Sequence, residues 1–257
     1  MMIDGFVRVG LGVPKVKVAD TSYNSETAIE MINEAVTHDV ALLLFPELHI
    51  TSYTCGDLFY QHTLQQGARE SLLHVVEATK GIDLLVIIGC PLVHNGKLYN
   101  CGVAIEDGNI LAVVPKTHLP NYGEFYEKRW FNAAPSTTSS ITIGKHIVPF
   151  STKVLLQSKI HKDVIIGIEL CEDLWAPHAP SIDLARNGAT IIVNLSASND
   201  LVGKREYRRA LVNGASGRYS SAYLYANAGP GESTTDIVFL GHSMISENGV
   251  MLKESTG

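Results

Sequence analysis

Residues 84–116 read LLVIIGCPLVHNGKLYNCGVAIEDGNILAVVPK. Three apolar, β-branched runs, Leu84–Val93, Leu98–Ile105 and Ile110–Val114, are separated by the pairs Asn95-Gly96 and Asp107-Gly108. Asn-Gly and Asp-Gly supply the positive φ angles of tight hairpin turns, so the spacing predicts an antiparallel three-stranded meander. Lys116 leaves its last strand.

Toward the N-terminus, Phe6–Val13 reads as a strand, and Asn24–Val36 carries Ala28, Ile29, Ile32 and Val36 at helical spacing. Val40–Phe45 is a continuous apolar run that predicts a buried strand. It stops at Pro46, which has no N–H to donate to a ladder, so Glu47 falls just past a strand end. Ala68–Ala78 predicts a second amphipathic helix. Toward the C-terminus, residues Asn121–Thr142 show no period and predict a long irregular segment, of the kind that often carries function. Val164–Leu170 then predicts a buried strand ending at Cys171. Helices are expected at Ser181–Asn187 and Glu206–Arg218, and strands at Thr190–Ser196, Ala222–Ala226 and Asp236–Ile245. Glu247-Asn248-Gly249 begins a hairpin into Val250–Leu252. Strands interleaved with helices, plus several hairpins, give an α/β or α+β class with mixed sheets and helices outside.

With 257 residues, 46% apolar and 18% charged, the chain can bury a large core, and no Pro/Gly/Ser-rich linker divides it; residues 1–257 are expected to form one domain. The net charge of −6 and the absence of a Lys/Arg stripe argue against nucleic acid as a partner. No apolar run approaches a membrane span, and no secretory leader pattern opens the chain. Four cysteines without a CxxC pair fit reduced thiols in a cytoplasm rather than a disulfide framework. Ten histidines include no HxH or HxxxH pair, so no active-site metal is expected. Cys90 and Cys101 fall within strands and read as core, and Cys55 falls in a loop. Gly214-Ala215-Ser216-Gly217 and Gly229-Pro230-Gly231 read as packing or turn features rather than phosphate cradles, because neither leads from a strand into a Lys-bearing helix start.

Glu47, Lys116 and Cys171 each stand where a strand gives way to a loop, from which a rigid sheet presents side chains to a common site. Taken singly, such a Glu or Lys is more often a solvated charge, and such a Cys a small buried hydrophobe. Their surroundings change this: Phe45-Pro46-Glu47-Leu48, Pro115-Lys116-Thr117-His118-Leu119 and Glu169-Leu170-Cys171-Glu172-Asp173 occur in this order, with the three residues 69 and 55 positions apart. The set resembles the nitrilase superfamily of carbon-nitrogen hydrolases. Through Thr51-Ser52-Tyr53-Thr54-Cys55-Gly56-Asp57-Leu58-Phe59 and the run from Asn121 to Phe131, it is similar in particular to the glutaminase domains of glutamine-dependent NAD synthetases.

The resemblance implies a four-layer α-β-β-α sandwich and a Glu47–Lys116–Cys171 triad acting on L-glutamine. It implies Glu127 as a supporting carboxylate that orients Lys116, and Tyr122, Glu172, Ser198 and Lys204 as substrate-binding residues. The residue types suit the reaction: an amide needs a nucleophile, a proton for the departing ammonia and positive potential at the oxyanion. A thiol, with an ordinary pKa near ~8.5, lies within reach of a carboxylate base, the more so where an ammonium lowers it. A free amino acid calls for an acceptor such as Glu172 at its ammonium and a cation or hydroxyl at its carboxylate.

The glutaminase itself is expected to need no cofactor. ATP and Mg2+ would serve only a synthetase domain or subunit that receives the ammonia and amidates nicotinic acid adenine dinucleotide to NAD. No Ser-Gly-Gly of an ATP loop occurs here, so that half is expected to be absent, the chain being either cut short at its C-terminus or a natural glutaminase beside a separate synthetase. Two other readings stay open: a different small-amide hydrolase or carbamoylase of the same superfamily, and a partner-dependent ammonia-channel module inactive alone. A homo-oligomer is expected on general grounds.

Overall fold

The 84–116 meander forms the middle of a larger sheet in the computed structural model, which describes residues 2–3 and 5–255. That sheet takes β1 (Val9–Leu11), β2 (Leu42–Leu44), β3 (Leu85–His94), β4 (Lys97–Glu106), β5 (Asn109–Pro115), β6 (Ser139–Ile143) and β7 (His146–Phe150), in the spatial order β6-β7-β5-β4-β3-β2-β1. β3, β4 and β5 are antiparallel as the turn chemistry requires, with Asn95, Gly96, Asp107 and Gly108 all at positive φ. β1, β2 and β3 run parallel. A second sheet follows chain order: β8 (Leu155–Gln157), β9 (Ile165–Leu170), β10 (Ile191–Ser196), β11 (Ala222–Asn227), β12 (Met244–Glu247) and β13 (Val250–Glu254). Its middle strands β9, β10 and β11 are parallel.

Among the described residues, four α-helices cover the sheets: α1 (Thr21–Thr37), α2 (His62–Ala78), α3 (Pro180–Arg186) and α4 (Lys204–Tyr219). Alternation along each strand sends side chains to two different cores. Leu43, Val86, Ile88 and Val103 pack under Ile32 of α1 and Leu72 of α2. Leu44, Ile87 and Ala104 meet Ile168, Val193 and Leu224 between the sheets. Ile192 and Tyr223 pack under Leu184 of α3 and Val212 of α4. The result is the expected α-β-β-α sandwich. No helix among the described residues is long and apolar enough to cross a membrane.

Several elements differ from expectation for identifiable reasons. α1 starts three residues before the expected Asn24 because Asp20 caps it, its Oδ1 accepting the Tyr23 N–H at 3.1 Å. α2 starts at His62, ahead of its apolar stripe. The strand expected over Phe6–Val13 is divided into Phe6–Val7, which pairs with Met2–Ile3, and β1. The irregular segment 121–142 holds a two-residue hairpin, Asn121–Tyr122 with Phe125–Tyr126, and its end joins β6; β7 and β8 were not anticipated. The strand expected over Asp236–Ile245 is confined to Met244–Glu247. Ile237 and Phe239 are buried while Val238 and Leu240 are exposed, which gives a strand-like period. The backbone there is bonded instead to a loop: Asp200 N–H donates to the Val238 carbonyl at 2.8 Å and Leu240 N–H to Asp200 Oδ2 at 2.9 Å.

Candidate active site

The strand ends deliver Glu47, Lys116 and Cys171 to one place, all three buried, at 0%, 0% and 5% exposure. Glu47 follows β2 in a tight loop that needs positive φ at Leu48 (51°) and Ser52 (66°). The loop is tied to β3 by the Ile50 N–H on the Gly89 carbonyl at 3.1 Å. Lys116 immediately follows β5, its N–H donating to the Asn100 carbonyl at 2.8 Å. Cys171 immediately follows β9 at φ 39°, a left-handed conformation that residues other than glycine adopt rarely.

Lys116 Nζ lies 2.5 Å from Glu47 Oε1 and 2.6 Å from Glu127 Oε1, so one ammonium bridges two buried carboxylates. Asn100 Nδ2 donates to Glu47 Oε1 at 2.6 Å and reaches Glu127 Oε2 at 3.5 Å, and the Tyr53 hydroxyl donates to Glu127 Oε1 at 2.8 Å. Every oxygen of the pair is thereby engaged except Glu47 Oε2, which is buried without a partner. A carboxylate held rigidly by one oxygen and left open at the other is suited to take and return a proton.

Burial opposes the charge on Lys116, but Glu127 and Glu47 beside it hold its pKa well above the ordinary lysine value. Burial, reinforced by Glu47, pushes Glu127 up to about 7 against the pull of Lys116. The Cys171 thiol is pushed above its ordinary range by burial and then by Glu47, and Lys116 only partly offsets this. The lowering by a neighbouring ammonium expected from sequence is therefore outweighed. Burial thus favours the neutral form of the thiol, and a nucleophilic role for it would call for a base at hand.

Asp173 links the two strand ends. Its Oδ2 accepts the Leu170 N–H at 3.1 Å, and its Oδ1 accepts the His118 N–H at 2.7 Å, so the turn carrying Cys171 is bound to the loop leaving Lys116. Asp173, Asn100, Tyr53 and Gly89 were not singled out as site residues from sequence. Asp173 and Tyr53 stood inside quoted motifs, whereas Asn100 and Gly89 are unremarkable strand positions whose role depends on what crosses them.

The residues expected to bind substrate divide into two groups. Tyr122, 58% exposed, donates its hydroxyl to Glu172 at 3.1 and 3.0 Å. Lys204 Nζ stands over the rings of Trp175 (5.3 Å) and Phe125 (5.6 Å), hydrogen-bonds Asn199, and feels both Cys171 and Glu172. These three place a carboxylate, a phenol and an ammonium together on the Cys171 side. Ser198 lies deeper: it is buried, its N–H donates to Asn227 Oδ1 at 2.7 Å, and its Oγ is 3.3 Å from Nη2 of the buried Arg208. Cys90 and Cys101 are core residues opposite each other on β3 and β4, and Cys55 packs with Leu48 and Tyr53.

A family model described as Carbon-nitrogen hydrolase matches residues 8–256. The glutamine-dependent NAD(+) synthetase of Mycobacterium tuberculosis is 39% identical over 253 residues, which are 98% of this chain and 37% of that protein. The human glutamine-dependent NAD(+) synthetase is 30% identical over 248 residues, 92% of this chain and 34% of that protein. The chain thus spans little more than a third of the length of these relatives. Among solved structures, a glutamine-dependent NAD(+) synthetase from Cytophaga hutchinsonii superposes with a TM-score of 0.84 at 31% identity, covering 96% of this chain and 40% of that one. An amidase from Nesterenkonia sp. superposes with a TM-score of 0.74 at 18% identity over 97% of this chain and 86% of the other, which shows the shared fold.

Proposed function

Because the chain belongs to the carbon-nitrogen hydrolase family, we propose that it is a cysteine-dependent amidase whose substrate is L-glutamine and whose product ammonia serves NAD synthesis. The observation that carries this reading is the Lys116 ammonium held between Glu47 and Glu127, all three buried, with Cys171 among its electrostatic neighbours. The choice of glutamine rests on the names of the relatives and on the grouping of Tyr122, Glu172 and Lys204, which offers opposite charges to the two ends of a free amino acid.

In this mechanism Glu47 takes the Cys171 proton as the sulfur attacks the amide carbon. Lys116 and the Glu172 N–H hold the oxyanion. The C–N bond breaks as Glu47 returns the proton to nitrogen, leaving a glutamyl thioester and ammonia. Glu47 then deprotonates a water that attacks the thioester, and the thiol leaves reprotonated with glutamate as product. Glu127 keeps Lys116 charged throughout. ATP and Mg2+ enter only where ammonia is consumed, in a synthetase domain or subunit of the kind the relatives' names denote. A cytoplasmic setting and a homo-oligomeric assembly belong to the same reading.

The test is release of glutamate and ammonia from L-glutamine by the wild type and by Cys171→Ala, with asparagine and simple aliphatic amides as competitors and a synthetase partner added in parallel. Glutamine-selective turnover that the variant lacks supports the reading. Hydrolysis of another amide in its place sinks the choice of substrate, and turnover that appears only with the partner identifies a dependent module.

A further inference from the structure

Behind Cys171, on the face of the second sheet that packs against α3 and α4, a row of buried polar groups takes no part in the chemistry above. Glu169 on β9 is in register with Asn194 on β10, and Tyr223 on β11 with Ile192, so adjacent strands bring the three side chains side by side. All three are buried. The Cys171 N–H donates to Asn194 Oδ1 at 2.9 Å, and the Ser196 hydroxyl donates to the same oxygen at 2.7 Å. Asn194 Nδ2 donates to the Tyr223 hydroxyl at 3.0 Å, and that hydroxyl donates in turn to Glu169 Oε1. Glu169 Oε2 accepts the Ser181 N–H at 2.9 Å, in the first turn of α3.

Direction is fixed at every step. A backbone N–H can only donate, so the atom of Asn194 that meets Cys171 must be its oxygen, and its NH2 must face Tyr223. Tyr223, accepting there, sends its own proton to Glu169. A side-chain amide held on both sides in this way has one orientation, and burial makes any unpaired member costly. The group it holds needs holding: Cys171 is at φ 39°, where a residue with a Cβ stays only when its surroundings impose it.

We infer that Asn194, locked by Tyr223 and Glu169, is a positioning residue for the nucleophile: it keeps the Cys171 turn left-handed and thereby presents Sγ to the Glu47–Lys116 pair. It also occupies the Cys171 N–H, which leaves the oxyanion to Lys116 and the Glu172 N–H. The inference rests on Cys171 being the nucleophile, but not on glutamine being the substrate.

The experiment compares wild type, Asn194→Leu, Asn194→Asp and Tyr223→Phe in two assays, glutamine kinetics and the rate of Cys171 alkylation by iodoacetamide from pH 6 to 10. Asn194→Leu is expected to lose about 100-fold in kcat and in alkylation rate, the scale of an ångström-sized misplacement, with KM within about threefold. Its alkylation profile moves to higher pH, because the thiol no longer meets its base. Asn194→Asp, which keeps an acceptor for the Cys171 N–H, recovers most of the alkylation rate. Tyr223→Phe leaves that acceptor in place but unlocked and slows alkylation less than Asn194→Leu; it carries the test if the leucine variant does not fold. Alkylation at the wild-type rate and pH profile in a folded Asn194→Leu, or failing that in Tyr223→Phe, overturns the inference. A wild type that is alkylated at Cys171 but does not turn over glutamine overturns the glutaminase reading alone.

Discussion

Gly89 lies directly against the peptide that carries Glu47: a Cβ at residue 89 would stand 2.3 Å from the Leu48 nitrogen, 2.5 Å from the Pro46 carbonyl oxygen and 2.8 Å from the Glu47 carbonyl carbon. All three are backbone atoms of a loop tied to β3 at the same point, so none can yield by turning a side chain. Gly89→Ala is therefore expected to push Glu47 away from Lys116, lowering kcat by about 100-fold and stability by ~1–3 kcal/mol. Steady-state kinetics alongside urea unfolding read both. Wild-type kcat in the alanine variant would show that the placement of Glu47 does not depend on this contact.

Removing the ammonium from between Glu47 and Glu127 leaves two buried carboxylates facing each other. Lys116→Met should abolish turnover and destabilise the fold by roughly 3–5 kcal/mol at neutral pH, the usual cost of breaking a buried ion pair from one side. The loss is expected to be smaller in acid. Burial already raises the folded-state pKa of Glu127 and Lys116 pulls it down, so without Lys116 it rises further above its unfolded value and the folded form binds the extra proton. That contribution is present below the unfolded carboxylate pKa and is lost as pH rises through the folded one. Unfolding curves at pH 5 and pH 8 decide this: a stability gap to wild type that does not widen with pH contradicts it.

How legible this molecule is in its sequence depends on whether the partners are near or far along the chain. The meander could be read because Asn95-Gly96 and Asp107-Gly108 are local turn chemistry, and both pairs adopt the expected positive φ. The placement of Glu47, Lys116 and Cys171 at strand ends could be read for the same reason: an apolar run and its breaker are adjacent in sequence. Residues 236–243 misled because burial period reports only which side chains face inward, and this extended strip alternates without a strand partner. Gly89 and Asn100 gave no signal, since their significance is a contact with a loop some forty residues away for Gly89 and some fifty for Asn100. The depth of Ser198 under Arg208 and the net upward push on the Cys171 thiol were equally beyond local pattern, being sums over many distant groups.

The φ of 39° at Cys171 gives a stability signature separable from catalysis. Cys171→Ala and Cys171→Gly both remove the nucleophile, so both should be inactive. At an ordinary position glycine is the less stable of the two by roughly 0.5–1 kcal/mol. Here alanine retains a Cβ in the left-handed region, at a cost of about 1–2 kcal/mol, and glycine does not. Cys171→Gly should therefore equal or exceed Cys171→Ala in stability by up to ~1 kcal/mol, as read from urea midpoints at equal m-value. A glycine variant clearly less stable than the alanine one would mean that the turn relaxes when the thiol is removed.

Glu232 couples the site's scaffold to pH. It is buried, accepts the Tyr53 N–H, and its own carbonyl accepts the Thr54 hydroxyl at 2.9 Å. It thereby anchors the loop from which the Tyr53 hydroxyl reaches Glu127. Burial pushes its carboxyl up to about 7, with hydrogen bonds from the backbone N–H groups of Tyr53 and Thr54 to the carboxylate opposing. The folded-state pKa is raised above the unfolded value of roughly 4.3, so the associated stability is fully present below that value and is lost as pH rises through about 7. Glu232→Gln keeps an oxygen for the Tyr53 N–H and removes the titration. The stability of the variant relative to wild type should accordingly rise between pH 5 and pH 8, while Glu127 and Asp173, also pushed up by burial, titrate in both proteins and cancel in the comparison. Unfolding free energies at four pH values across that range measure the slope. A flat difference would place the Glu232 charge outside the window, and a falling one would mean that the ionised carboxylate strengthens the Tyr53 loop by more than its burial costs.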